Sequence, residues 1–587
     1  MFDIVSNHKI VGFPDGNIIS LCPTIDLLVI SMNKMSIWVF RLNGERVYSV
    51  NNKSPIIDLC WSPDGKYFAV SGIDNKVKIY DSNNGSLINE FESASIMSLT
   101  WSALNQSLDN EELFHIDILS NLPQLSNFTN FNDLTYILTT SNDSISFIFN
   151  NLVQFKLPTN FKLTNHTNFD LFHHLFINDK NQLIKFEISF NKHIVDIILI
   201  FCKIKLIMNN FQADLSQIVK SFSSFLTLFD RYMGNYFDNL GIECNEGDSY
   251  KTVIGSLQNI LLTHLIPKKL NDYFLNQFGE RGLKRLSKEG NDTYDNIKDT
   301  VFKNIIQNFE KLVIVLNNLR GIIHWCGING TDFGISIQDI DTILTTIKQQ
   351  IKHFYQLIWN SNEEQKLFNK FLNWFKFLIE CLVKENNDEE IKIIPNLHNS
   401  DLLSYFNNYL FHSKVNDFLK FDADLDILRI DNTQDLLNEC KLLDNSISEG
   451  IFTPFEGFFV KSSIFNDAVD LNLSDCQIFN IKNNAFLFST ENHQLSIINV
   501  STMDKKTLKF DKIINYQIFN EFLIILHQSQ KTYMEKFSIE QIFNGDLKSL
   551  EVKEIDSDKP QLLVVNEVRS SGCLFEGNRK DYSLIKL

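Results

Sequence analysis

The sequence predicts a β-propeller of about seven blades, with a long antiparallel α-helical bundle inserted between blades. Three observations predict it. A repeat near forty residues runs through the first third. From about residue 191 the apolar spacing changes from alternation to steps of three and four, and from about residue 452 alternating hairpins return. Composition agrees: Gly 22 and Pro 10 are low for 587 residues, so tight turns are too few for a purely β chain. An apolar fraction of 44% with 21% charged residues excludes wholesale disorder.

The clearest repeat is Leu59-Cys60-Trp61-Ser62-Pro63-Asp64-Gly65, followed by the apolar run Tyr67 to Val70 and the alternating Val77-Lys78-Ile79-Tyr80-Asp81. Leu99-Thr100-Trp101-Ser102 stands forty residues after Leu59, and Met35-Ser36-Ile37-Trp38 forty-two before Val77. Ser141 to Phe147 and Phe176 to Ile188 are weaker copies. This period, with Tyr80-Asp81 where WD repeats carry Trp-Asp, marks a WD-repeat-like blade; a generic β-meander is the alternative. In the turn, Pro63 presets φ at the first corner and Gly65 supplies the positive φ that precedes the next strand. Asp74 and Asp143 occupy positions where an aspartate braces the blade turn. Residues 1–190 hold about four blades, and closure requires strands from elsewhere.

Residues 191–449 read as the bundle. Tyr294, Ile297, Val301, Ile305, Phe309, Leu312, Leu316 and Leu319 recur in steps of three and four, as do Ile337, Ile340, Leu344, Ile347, Ile351, Phe354 and Ile358. Ser361-Asn362-Glu363-Glu364 has the form of a capping box and predicts a new helix burying Phe368, Phe371, Trp374 and Leu378. Pro267 interrupts an earlier helix through Val253 and Leu261, and Gly279 with Gly282 predicts a turn. Helices of about 25 residues follow from this punctuation. Residues 450–587 supply three further hairpins, which bring the propeller to about seven blades.

The excess of 71 acidic over 54 basic residues, −17 net, disfavours a nucleic-acid backbone as partner. The nine cysteines include no CxxC pair and fit reduced thiols in an intracellular chain. The N-terminus lacks a secretory pattern, and the most apolar run, Ile194 to Met208, carries Asp196, Lys203 and Lys205, which argues against a membrane span. Phosphate-loop, dinucleotide and zinc-hydrolase motifs are absent. His324-Trp325-Cys326 reads as buried side chains at a helix terminus rather than a metal or nucleophile site. His173 and His174 are neighbours on a strand and face opposite sides, so they cannot share one ion. One cluster of positive charge stands out: Arg281, Lys284, Arg285 and Lys288, read either as a solvated turn or as a partner contact. No catalytic, cofactor or metal site is expected.

Several segments resemble the anaphase-promoting complex subunit 4 family. Phe278-Gly279-Glu280-Arg281-Gly282-Leu283-Lys284-Arg285-Leu286-Ser287-Lys288 is similar to its L-G-E-x-G-L-K-R-W-x-K turn, with Leu286 where the family carries Trp. Tyr294 and Ile297 follow at the family's spacing. Leu319-Arg320-Gly321 resembles its L-R-G helix end, and Phe368, Phe371, Trp374 and Phe375 its F-x-x-F-x-x-W-L stretch. Leu119 to Leu125, Val565-Asn566 with Arg569, and Arg579-Lys580 are similar to propeller segments. The resemblance implies a non-catalytic scaffold of a multi-subunit ubiquitin ligase that marks mitotic cyclins and securin. It further implies contacts with subunits 1 and 5 of the platform and a nuclear and cytoplasmic location. Nucleic acid, membrane and small-molecule substrate are not implied. A vesicle-coat or nuclear-pore-like scaffold is the alternative, although such chains append helices after the propeller and here strands return.

Overall fold

The computed structural model describes residues 2–587 except 11–13, 94–95, 104–133, 190–191, 242–248, 387–398, 420–435, 467, 472–475, 483, 492, 546, 556–559, 567 and 578. The family-like segment Leu119 to Leu125 lies outside the described residues.

The chain divides into two compact units, Met1–Cys202 with Phe455–Leu587, and Lys203–Pro454. The first is a β-propeller of seven antiparallel sheets among the described residues. In chain order the blades are 14–51, 56–92, 98–158, 163–188 completed by 463–465, 476–509, 513–555, and 560–586 completed by Asp3–Lys9. Strand Asp3–Lys9 pairs antiparallel with Asp581–Lys586, so the first and last strands close one sheet. Closure satisfies an edge that would otherwise recruit a foreign strand.

From the sixth blade through the seventh and first to the fifth, the first strands of neighbouring blades touch, and side chains tie the blades together. Asp58 of the second blade accepts from Leu99 N of the third at 2.7 Å as well as from Leu59 N at 2.8 Å. Asn165 of the fourth donates to Cys476 O of the fifth at 3.0 Å, and Asn566 of the seventh donates to Cys22 O of the first. These short polar side chains satisfy wholly or partly buried backbone groups.

The expected turn forms: Gly65 has φ +71°, and a Cβ there would lie 2.0 Å from Thr24 Oγ1. Asp74 accepts from Lys78 Nζ at 2.8 Å, and the same ammonium donates to Asn52 Oδ1 of the preceding blade at 3.0 Å. Asp143 departs from its expected role. Its side chain is exposed and makes no hydrogen bond among the described residues; its backbone oxygen accepts from Thr159 N instead. The insertion also falls one strand earlier than a boundary between blades. The chain leaves after Gln182–Ile188 and returns as Ser463–Phe465, which pairs with that strand. An outermost strand is the one a blade can take from a distant segment without disturbing its inner ladder.

The second unit holds most of the helices. Helix α1 is Lys192–Leu240, α2 Ser249–Thr263, α3 Gly279–Thr300, α4 Ile306–Ile328, α5 Ile337–Asn386, α6 Asn399–Asn408, α7 Lys414–Leu419, α8 Leu436–Ile447 and α9 Thr453–Ser462; the start of α1, through Cys202, and α9 from Phe455 onward belong to the propeller unit. The 49 residues of α1 and 50 of α5 double the expected length. Three start and stop signals of the sequence fall inside helices. Ser361 and Glu364 are buried within unbroken α5, where the backbone N–H groups already have partners, so no cap forms. Gly321 lies inside α4, and Gly282 inside α3 with Phe278 packed against it. His324 and Trp325 are exposed, Trp325 at 61%, and only Cys326 of that trio is buried. Phenylalanine fills the interior: Phe211 packs on Phe309, Phe309 on Phe354, and Phe225 on Phe368. Among the described residues no helix is long and apolar enough to cross a membrane.

Candidate partner-contact surface

Gly279, at φ +53°, ends the wide helical turn Tyr273–Phe278 and starts α3. From there Leu283, Leu286, Gly290, Tyr294 and Ile297 are buried at helical spacing. The complementary positions are Arg281, Lys284, Arg285 and Lys288, all exposed. The cluster therefore stands on a regular helix and not on a turn, and spacing of three and four sets the four cations on one face.

Packing against α5 sorts these four. A groove of about 760 Å³ runs between α3 and α5, and Lys284 and Lys288 line it. Its floor carries Leu283 from α3 with Leu372 and Ile379 from α5, and Lys376 and Lys384 form the opposite lip. Arg281 and Arg285 do not line it; at about 100° per residue they lie farther round the same exposed face, away from the groove. The α5 lysines were not legible as partners of the α3 cluster, being some ninety residues away in sequence.

At one end of the groove polar side chains tie α3 to α5. Asn291 and Asn369 exchange hydrogen bonds of 2.9 and 3.0 Å, and Gln365 donates to Asn291 at 2.9 Å. Phe371 and Trp374, the stripe offered as core or as a subunit anchor, are buried against Tyr405 and Phe406 of α6 and belong to the core. Nearby, Glu364 accepts from Tyr294 Oη at 2.8 Å and from Val415 N at 3.3 Å. Burial pushes its carboxyl up to about 7.

Charge around the groove is unevenly compensated. Lys284 lies 3.4 Å from Glu280, and Lys376 3.8 Å from Glu380, both exposed pairs of small energetic weight. Lys288 and Lys384 make no ion pair among the described residues. A chain of net −17 thus presents a locally positive lip over an apolar floor.

The propeller unit has its own cleft of about 730 Å³, between the fourth and fifth blades, with Asp170, His173, His174, Glu187 and Ser501 on its wall. His173 Nδ1 lies 3.0 Å from Asp170, but the Ser501 hydroxyl donates to Asn499 at 2.6 Å. His174 turns inward, as alternation requires. Its Nε2 donates to Leu171 O at 2.8 Å, which leaves Nδ1 to accept from His166 Nε2 at 3.0 Å. Asp170 and Ser501 lie in turns, His173 and His174 on the second strand of the fourth blade, Glu187 on its third and His166 on its first. Among the described residues no group of three or more His, Cys, Asp or Glu is placed to hold a metal ion.

Comparison with known proteins gives two matching family models. "Anaphase-promoting complex subunit 4 WD40 domain" matches residues 19–104, and "Anaphase-promoting complex, cyclosome, subunit 4" matches residues 182–385. Anaphase-promoting complex subunit 4 of Schizosaccharomyces pombe is 21% identical over 88% of this chain and 78% of its own length. The subunit 4 of Saccharomyces cerevisiae is 23% identical over 30% of this chain and 27% of its own. Among solved structures, the Cps50 (Swd1) β-propeller domain of Myceliophteria thermophila aligns with a TM-score of 0.23 at 13% identity, covering 31% of this chain and 54% of that one.

Proposed function

The chain belongs to the anaphase-promoting complex subunit 4 family, and we propose that it serves as a non-catalytic platform subunit of that ubiquitin ligase. The observation that carries this reading is the order of the two family matches, one inside the propeller and one running from its fourth blade through α5. Propeller and bundle each offer a preformed surface, and one chain that joins two such surfaces limits the distance between whatever binds them. In this role the subunit holds its neighbours, subunits 1 and 5 of the platform, and so positions the substrate receptor and the cullin–RING module for transfer of ubiquitin to mitotic cyclins and securin. The work is done in the nucleus and cytoplasm.

Gentle affinity purification of the tagged chain from its own cells, with sizing and mass spectrometry, tests the proposal. A large particle containing cullin-like, RING and tetratricopeptide subunits is the expected result. A monomer, or coat or pore proteins in its place, would refute it.

A further inference from the structure

We propose that the groove between α3 and α5 seats an acidic, amphipathic helix from another subunit; this rests on the subunit reading above. The lining runs from Glu280 to Asn291 on α3 and from Leu372 to Lys384 on α5. At 1.5 Å per residue that is a trough about 16–18 Å long, the span of three helical turns. Its floor, Leu283, Leu372 and Ile379, is apolar, and Val383 at one end is 44% exposed. An apolar trough between two helices accepts the seam of a third by helix-in-groove packing. A β-strand has nothing to pair with there, because the N–H and C=O groups of both walls are committed to their own helices.

Charge selects the partner. Four lysines on the lips face two glutamates, and Lys288 and Lys384 lack an ion-pair partner among the described residues. Carboxylates flanking the seam of an incoming helix would compensate them, and a basic helix would be repelled. Nucleic acid fits less well: Glu280 and Glu380 stand at the lips, and none of the described lining residues is aromatic, so a base has none of these to stack on.

The test uses the full-length tagged chain in its own cells, with the photo-crosslinking residue p-benzoylphenylalanine in place of Asn373, an exposed lining residue. The purified complex is irradiated and the adduct mapped by mass spectrometry. The expected adduct joins Asn373 to a segment of another subunit with apolar residues at helical spacing flanked by Asp and Glu. The double variant Lys288→Glu/Lys384→Glu should lower its yield about tenfold, while circular dichroism confirms an unchanged helical content. An adduct within this chain, with nucleic acid or with a basic segment, an unchanged yield in the double variant, or an intact complex without adduct, would overturn the proposal. Recovery of the chain alone would instead refute the subunit reading, and the groove's occupant with it.

Discussion

His166 and His174 are enclosed by Phe147, Phe176 and Phe186 and joined in one line of hydrogen bonds from Thr100 to the Leu171 carbonyl. Because that carbonyl can only accept, each link has one direction, and both rings must be neutral to keep it. Burial lowers both pKa values, His174 from 6.5 to about 4 and His166 well below its ordinary value. Above pH 6.5 folded and unfolded chains hold the same protons at these sites. As pH falls from 6.5 toward 4 the unfolded chain takes up protons that the fold refuses, so stability is lost in that window. The melting temperature of the propeller should therefore drop between pH 7 and pH 4.5. His174→Phe should reduce the slope and cost about 1–3 kcal/mol at neutral pH, because His166 Nε2–H loses its acceptor. Thermal melts of both chains across pH check this; an equal slope in the variant would contradict it. Alternation on the strand put His173 and His174 on opposite faces, and the structure shows that His174 is the buried one. Its partner His166 was not legible, because the pairing depends on the neighbouring strand's register.

Among the described helical glycines, Gly290 leaves the least room for a side chain. A Cβ at this position would lie 2.5 Å from Cε1 of Phe368 on α5 and 3.0 Å from Phe225 of α1. Gly290→Val should destabilise the bundle by about 1–3 kcal/mol, since the rings must leave their packed positions. Gly255→Ala in α2, where nothing lies within 4 Å, should be neutral or stabilising by about 0.5–1 kcal/mol. Urea denaturation followed by helical circular dichroism separates the two; equal midpoints would sink the argument. The same element shows why local signals overcount boundaries. Ser361 to Glu364 has the residue types of a cap, but Glu364 uses its carboxylate on Tyr294 and Val415, seventy and fifty-one residues away. Side-chain chemistry that caps a free helix end can equally bind across a bundle.

At the scale of the molecule, the chain passes from propeller unit to helical unit between Cys202 and Lys203 and returns between Pro454 and Phe455. On the propeller side the two crossing points are adjacent: Phe201 and Phe455 have ring centroids 5.0 Å apart. Replacing Lys203–Pro454 by a short Gly-Ser linker should therefore leave a closed, cooperatively melting propeller that does not enter the complex. Sizing, melting and co-purification measure each part. Wild-type incorporation of this variant would remove the bundle's role in assembly, and failure to fold would mean that the propeller needs the inserted helices.

Local chemistry was sufficient for much of this protein. The Trp61-Ser62-Pro63-Asp64-Gly65 turn, the forty-residue period and the switch from alternation to three-and-four spacing are properties of neighbouring residues, and they determined the propeller, its count of about seven blades and the presence of a bundle. What needed the tertiary structure were relations between distant residues. These include the completion of the fourth blade by Ser463–Phe465, the inter-blade bond of Asp58, and the pairing of Lys284 and Lys288 with Lys376 and Lys384 across one groove. The physical reason is range. Backbone propensity and turn geometry act over a few residues, whereas a groove or a shared blade exists only where packing has brought two segments together.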